Sequence, residues 1–361
     1  MRTATTVEFS RDAQQVVTFV REAESLGLDI CWVAEAWGSD APSALGYLAA
    51  RTDRILLGSG IIQLGTRSPV AIAQAALTLA ELSQGRFLLG LGPSGPQVME
   101  GLHGVPFARA LTRMRETITV IKQACAGEKV SFQGDTVRIP LDGNSKPMRL
   151  SIPANTDIPI YIASMSPKML ELTGAVADGW LGTSFVPEGS AAYFDHLDAG
   201  LASAGRTRDD IDVCQGAEIA IFDDEEAVSR HIAGRKLELA FSIGGMGSAK
   251  TNFYNAAYAR QGWSEVTEEI RARWQSGDRE GATGLVTDDM VLSTTLIGTS
   301  DMVKRRLQVW SDIGVDTVRL YPAGDTLEAK LANLAQALDL IADLAPAPAI
   351  SASEGGRSRS S

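Results

Sequence analysis

The chain has 361 residues, 45% of them hydrophobic, enough to bury one α/β barrel or two ordinary domains. Lys and Arg number 33 against 44 Asp and Glu, a net charge of −11, which argues against nucleic acid and anionic membrane surfaces as partners. Cys31, Cys125 and Cys214 are odd in number and show no metal or redox spacing; with no signal-like start and no apolar run long enough to cross a bilayer, the cytoplasm is the expected compartment.

The expected strands are Thr3–Phe9, Asp29–Glu35, Ile55–Gln63, Arg86–Gly92, Ile158–Ser164, Gly179–Thr183, Ile211–Phe222 and Asp316–Tyr321, nearly all followed by a helical pattern. In the first helix Ala13, Val16, Val17, Val20 and Ala23 recur at helical spacing, and Ser68-Pro69 opens another with an N-cap and a first-turn proline. Four junctions repeat one device, a helix, a glycine and then a strand, with Gly27, Gly85, Gly179 and Gly314 at the turn. Eight alternating units without a central linker predict a (β/α)8 TIM barrel over residues 1–343. Two insertions interrupt it. Residues 129–150 contain KVSFQGDTVRI, a hairpin turning at Gly134-Asp135, and residues 243–293 precede the last unit. The Pro-, Ser-, Ala- and Gly-rich tail, 344–361, is expected to be disordered.

The stretch LLGLGPSGPQVMEG carries Gly90, Gly92 and Gly95 in the spacing of a dinucleotide fingerprint. Three features oppose that reading. It follows the fourth strand and not the first, Pro93 removes a backbone donor, and the acid about twenty positions on, Glu116, lies within a helical pattern. As the loop at the C-terminal end of a barrel strand it becomes a wall of the active site, and Gly92 and Ser94 are assigned to cofactor binding.

WVAEAWGSDA, LGSGIIQ, GLGPSGPQVMEGLHGVPF, IYIASMSPK, ADGW and IGGMGSAKTNFYN, in that order, resemble the bacterial luciferase-like superfamily, and more narrowly its actinobacterial coenzyme F420-dependent oxidoreductases. The resemblance implies hydride transfer between F420 and a small organic substrate, in a homodimer. FMN is the alternative cofactor, with a monooxygenase or a non-catalytic flavin-binding protein as alternative functions. It also implies a bulge behind the cofactor ring at Gly60 and Ile61, with a cis peptide between them, in a strand where glycine otherwise reads as tight packing.

The remaining candidates carry two readings each. Glu35 either meets the ring or substrate as a proton donor or is tied to N–H groups of the next loop; Trp37 either stacks or caps the barrel. Ser164, Met165 and Ser166 precede a helix opened by Pro167, where free N–H groups suit the cofactor phosphate and Ser166 alone suits a plain cap. Thr183, closing the sixth strand, joins the cofactor set. His103, His196 and His231 are read as structural, and no metal site is expected. Sugar-phosphate dehydrogenases of the superfamily carry His, Glu and Lys where Ala36, Gly95 and Val186 stand here, so a more apolar substrate is expected.

Overall fold

Short apolar strands alternate with helices, several of them ended by a left-handed glycine, and the sheet they build closes on itself. In the computed structural model, which describes residues 1–9, 12–247 and 252–344, the strands are β1 (Arg2–Val7), β2 (Ile30–Val33), β3 (Leu56–Ser59), β4 (Ile62–Gln63), β5 (Phe87–Gly92), β6 (Phe132–Gln133), β7 (Arg138–Ile139), β8 (Ile160–Ala163), β9 (Gly179–Leu181), β10 (Asp212–Ile221), β11 (Leu296–Gly298) and β12 (Thr317–Pro322). Eight of them pair in parallel as β1–β2–β3–β5–β8–β9–β10–β12 and back to β1, a closed TIM barrel. The expected tail lies outside the described residues, apart from Leu344.

The turn glycines divide into two kinds. Gly27, Gly85 and Gly314 take positive φ values of 102°, 84° and 92°, as the end of a helix requires. Gly179 does not. A Cβ there would lie 2.0 Å from the Tyr161 ring, so its role is to admit that ring into the barrel. Trp32 packs edge-on against Tyr161 at 5.1 Å, and Ala4, Ile30, Leu88, Leu181 and Cys214 complete this apolar plug. Below it, Asp212 binds Arg2, Tyr161 and Thr317, each at 2.8 Å.

β6 and β7 form the expected hairpin, and Glu116 explains why it stays attached. Its carboxylate accepts the N–H groups of Asp135, Thr136 and Val137 and the Thr136 hydroxyl. These bonds hold its pKa below the usual 4.5 against the upward push of burial. A depressed carboxylate pKa stabilises the fold above the unfolded value and loses that contribution as pH falls through the folded value. Glu116→Gln should therefore flatten the acid limb of the stability curve below about pH 4.5. Denaturant titrations from pH 3 to 7 check this, and parallel curves for the two proteins would contradict it.

β11 was not foreseen. It has three residues, too few to show a period, and pairs with Ile219–Ile221 of β10. The start of β10 pairs instead with β9. β9 and β10 therefore part towards their C-terminal ends, where the barrel mouth opens.

Candidate active site

The glycine motif resolves into barrel spacing. A Cβ on Gly90 would lie 1.9 Å from the Ser59 carbonyl, and one on Gly92 would lie 2.7 Å from the Ile61 side chain. Gly95 meets nothing within 4 Å and caps the short helix Pro96–Gly101. None of the three has positive φ, so the loop is not a phosphate-cradling turn; Ser94 does, at 59°.

The bulge is present. Leu57 and Gly58 pair with Phe87 and Leu88, whereas Ile62 and Gln63 pair with Leu91 and Gly92, so the register slips by one residue between β3 and β4. The Gly60-Ile61 peptide is cis. Ile61, Gly92 and Ala163 form a small apolar surface facing the barrel interior.

Glu35 follows β2, and both of its oxygens are occupied. One meets Arg67 at 2.6 Å and the other accepts the Ala41 N–H at 2.8 Å. Gln63 donates to the Glu35 and Ala36 carbonyls and leaves its own buried Oε1 without a partner. The carboxylate thus works on the loop that presents Trp37, which is 75% exposed at the rim.

Ser164, Met165 and Ser166 separate by direction. Ser164 turns outward, where its hydroxyl bonds Thr173 at 2.9 Å, so it does not face the mouth. Period-two alternation from inward-facing Ala163 accounts for this. Ser166 holds the N-cap position of helix Pro167–Val176 without a side-chain bond to it, which leaves that helix end available. Arg260, missed in the sequence, donates to the Met165 carbonyl at 2.7 Å beside this end. It comes from a π turn, Ala259–Trp263, whose Gln261 also ties Ser184 and Val186 in the loop after β9. Lys168 is exposed and pairs with Glu171.

A cleft of about 450 Å³ opens between β9, β10 and β12, beneath the inserted helices, and Thr183 of the expected cofactor set lines it. Its wall includes Glu218, Arg235, Tyr254, Tyr258 and Tyr321. Glu218 contacts His231 at 3.0 Å and Arg235 at 2.6 Å, so His231 buttresses the wall from its helix. Burial pushes Tyr258 up to about 12 and raises Tyr254 as well, so both remain proton donors at neutral pH. Tyr254 comes from the insertion, where the sequence places it, with Asn252 and Phe253, at the substrate or at a subunit interface; for Glu218 and Tyr321 the signal is strand parity, because Gly216↔Arg319 and Glu218↔Tyr321 are adjacent pairs of inward-facing residues.

Among the described residues no group of His, Cys, Asp or Glu is placed to hold a metal, and no helix is long and apolar enough to cross a membrane. All three cysteines are buried and unpaired, and burial pushes the Cys125 thiol up to about 11.

Residues 2–317 match the luciferase-like monooxygenase family. The chain belongs to that family. A Mycobacterium tuberculosis protein named as a coenzyme F420-dependent oxidoreductase is 38% identical over 322 residues, covering 86% of this chain and 91% of the relative. The 5,10-methylenetetrahydromethanopterin reductase of Archaeoglobus fulgidus is 30% identical, with 86% and 91% covered. Among solved structures, the coenzyme F420-dependent tetrahydromethanopterin reductase of Methanopyrus kandleri superposes with a TM-score of 0.77 at 26% identity, covering 93% of this chain and 97% of that one. In this luciferase-like barrel the glycine bulge, the open helix end and the tyrosine-lined cleft all lie at the C-terminal ends of the barrel strands.

Proposed function

We propose that this luciferase-like protein is an F420-dependent oxidoreductase acting on a small organic substrate. The observation that carries the reading is the match to F420-dependent relatives over most of the chain, on a barrel whose mouth suits that cofactor. Ile61, Gly92 and Ala163 offer a floor for a planar ring. The partnerless Gln63 Oε1 and Thr6 Oγ1 supply polar atoms for its edge. Ser94 and Trp37 border the ring, while Met165, Ser166 and Arg260 receive the acidic tail at the open helix end. Bound deazaflavin supplies a hydride donor or acceptor, and the protein binds and orients it. Glu35 and Arg67 fix the loop that carries Trp37, and Thr183 meets cofactor or substrate at the cleft edge. We assign the protein to the cytosol as a homodimer, the compartment resting on its three unpaired thiols.

The test compares reduced cofactors in air. Substrate-dependent oxidation of reduced F420 without matching oxygen uptake supports the reading. Oxygen consumption with reduced FMN and no reaction of F420 would favour a monooxygenase. Arg260→Ala should weaken F420 about tenfold at low salt and flatten its salt dependence, leaving the chromophore without its tail unaffected. Equal loss for both ligands in fluorescence titrations would contradict a tail contact.

A further inference from the structure

Arg319 is 7% exposed inside the barrel wall, yet among the described residues no carboxylate lies within ion-pair distance of it. Its Nη2 donates to the Gly182 carbonyl at 2.9 Å and Tyr321 lies alongside, but its buried Nε has no partner. Burying a guanidinium this way is unfavourable unless an anion or strongly polarised oxygen completes it. The neighbouring cation in the cleft, Arg235, is by contrast held by both Glu218 and Glu238.

The position of Arg319 relates it to the cleft. Its β10 partner, Gly216, lines that cleft, and a Cβ on Gly216 would lie 3.0 Å from both Arg319 Nη2 and Tyr321 Oη. Glycine therefore lets the guanidinium and the phenol lie directly against the β10 backbone, with the phenol on the cleft lining. Tyr321 keeps its ring centre 5.7 Å from the guanidinium carbon. In strand order, β12 stands opposite β5, which carries Gly92 of the proposed ring floor.

We propose that Arg319 and Tyr321 form an oxyanion-binding pair that selects substrates bearing a carboxylate. The inference rests on the oxidoreductase reading and names the substrate class of the same mouth. A planar fork matches a carboxylate with two donors, which an ammonium does not. The expected substrate is thus apolar in its body, as the tyrosine rings suit, with a carboxylate at Arg319.

The test uses benzoate and benzamide as matched probes on the full chain, with and without F420, read by calorimetry. Wild type should prefer benzoate about tenfold, and Arg319→Met should abolish the preference. Arg235→Met should keep it to within about threefold, because that charge is already paired. If Arg319→Met does not fold, Tyr321→Phe reads the same contrast, with the preference expected to fall about threefold. No preference in wild type, an unchanged one in whichever variant is read, or equal loss in Arg235→Met would overturn the proposal. So would Arg319→Met weakening F420 itself while sparing benzoate, which would assign the guanidinium to the cofactor. Failure of F420 to bind, with the benzoate preference intact, would instead count against the oxidoreductase reading alone.

Discussion

Gly90→Ala should leave little folded protein. The new Cβ would sit 1.9 Å from the Ser59 carbonyl, a backbone atom that cannot swing aside. Ser59 and Gly90 are joined twice more, since the Ser59 hydroxyl accepts the Gly90 N–H and meets the Gly90 carbonyl, both at 2.9 Å. Relieving the clash means separating β3 from β5 and losing both bonds. The combined loss is expected to be about 3 kcal/mol or more. Gly95→Ala provides the control within the same motif, because it meets open space and should change stability by less than about 1 kcal/mol. Denaturant melts of the two variants decide the matter. Similar stabilities would mean that the β3–β5 spacing is not set by glycine.

Glu35→Ala carries the second large effect, and it should appear in both stability and turnover. The substitution strands Arg67, whose side chain is only 25% exposed, and frees the Ala41 N–H. Because Arg67 keeps some solvent, the expected destabilisation is about 2 kcal/mol, below that of a fully buried broken pair. A free catalytic carboxylate would have left the melting temperature unchanged on Glu35→Gln. The Arg67 contact changes that expectation, because Gln removes the charge that the guanidinium faces. Turnover per folded molecule should fall about tenfold in Glu35→Ala, as the loop bearing Trp37 loses its anchor. Thermal melts beside single-turnover rates check both parts. Normal turnover in the folded fraction would confine Glu35 to stability.

Much of this architecture was legible because local rules and the global fold agree. The strand–helix alternation, the hairpin at Gly134-Asp135 and the Ser68 cap, which accepts the Ala71 N–H, follow from residue types at short range. The bulge at Gly60 and Ile61 came through the family resemblance, because glycine within a strand reads equally as tight packing. What was missed depends on the third dimension. Ser164 was assigned to the mouth by position along the chain, whereas alternation turns it outward to Thr173. Arg260 reaches the site through a π turn containing Gly262 at φ 107°, a local geometry with no periodic signature. Glu218, Arg319 and Tyr321 sat in plain strands. Only closure of the barrel brings β10 and β12 together, and only then does their shared inward face become a wall.

Equilibrium titration of the purified protein with F420 and with FMN, followed through tryptophan fluorescence, tests the central claim most directly. Trp37 at the rim is placed to report a bound ring. The account predicts saturable quenching by F420 at concentrations at least about tenfold lower than FMN requires, with the F420 affinity falling as salt is added. Saturation by FMN alone, or F420 binding that ignores both salt and the Arg260→Ala substitution, would contradict it.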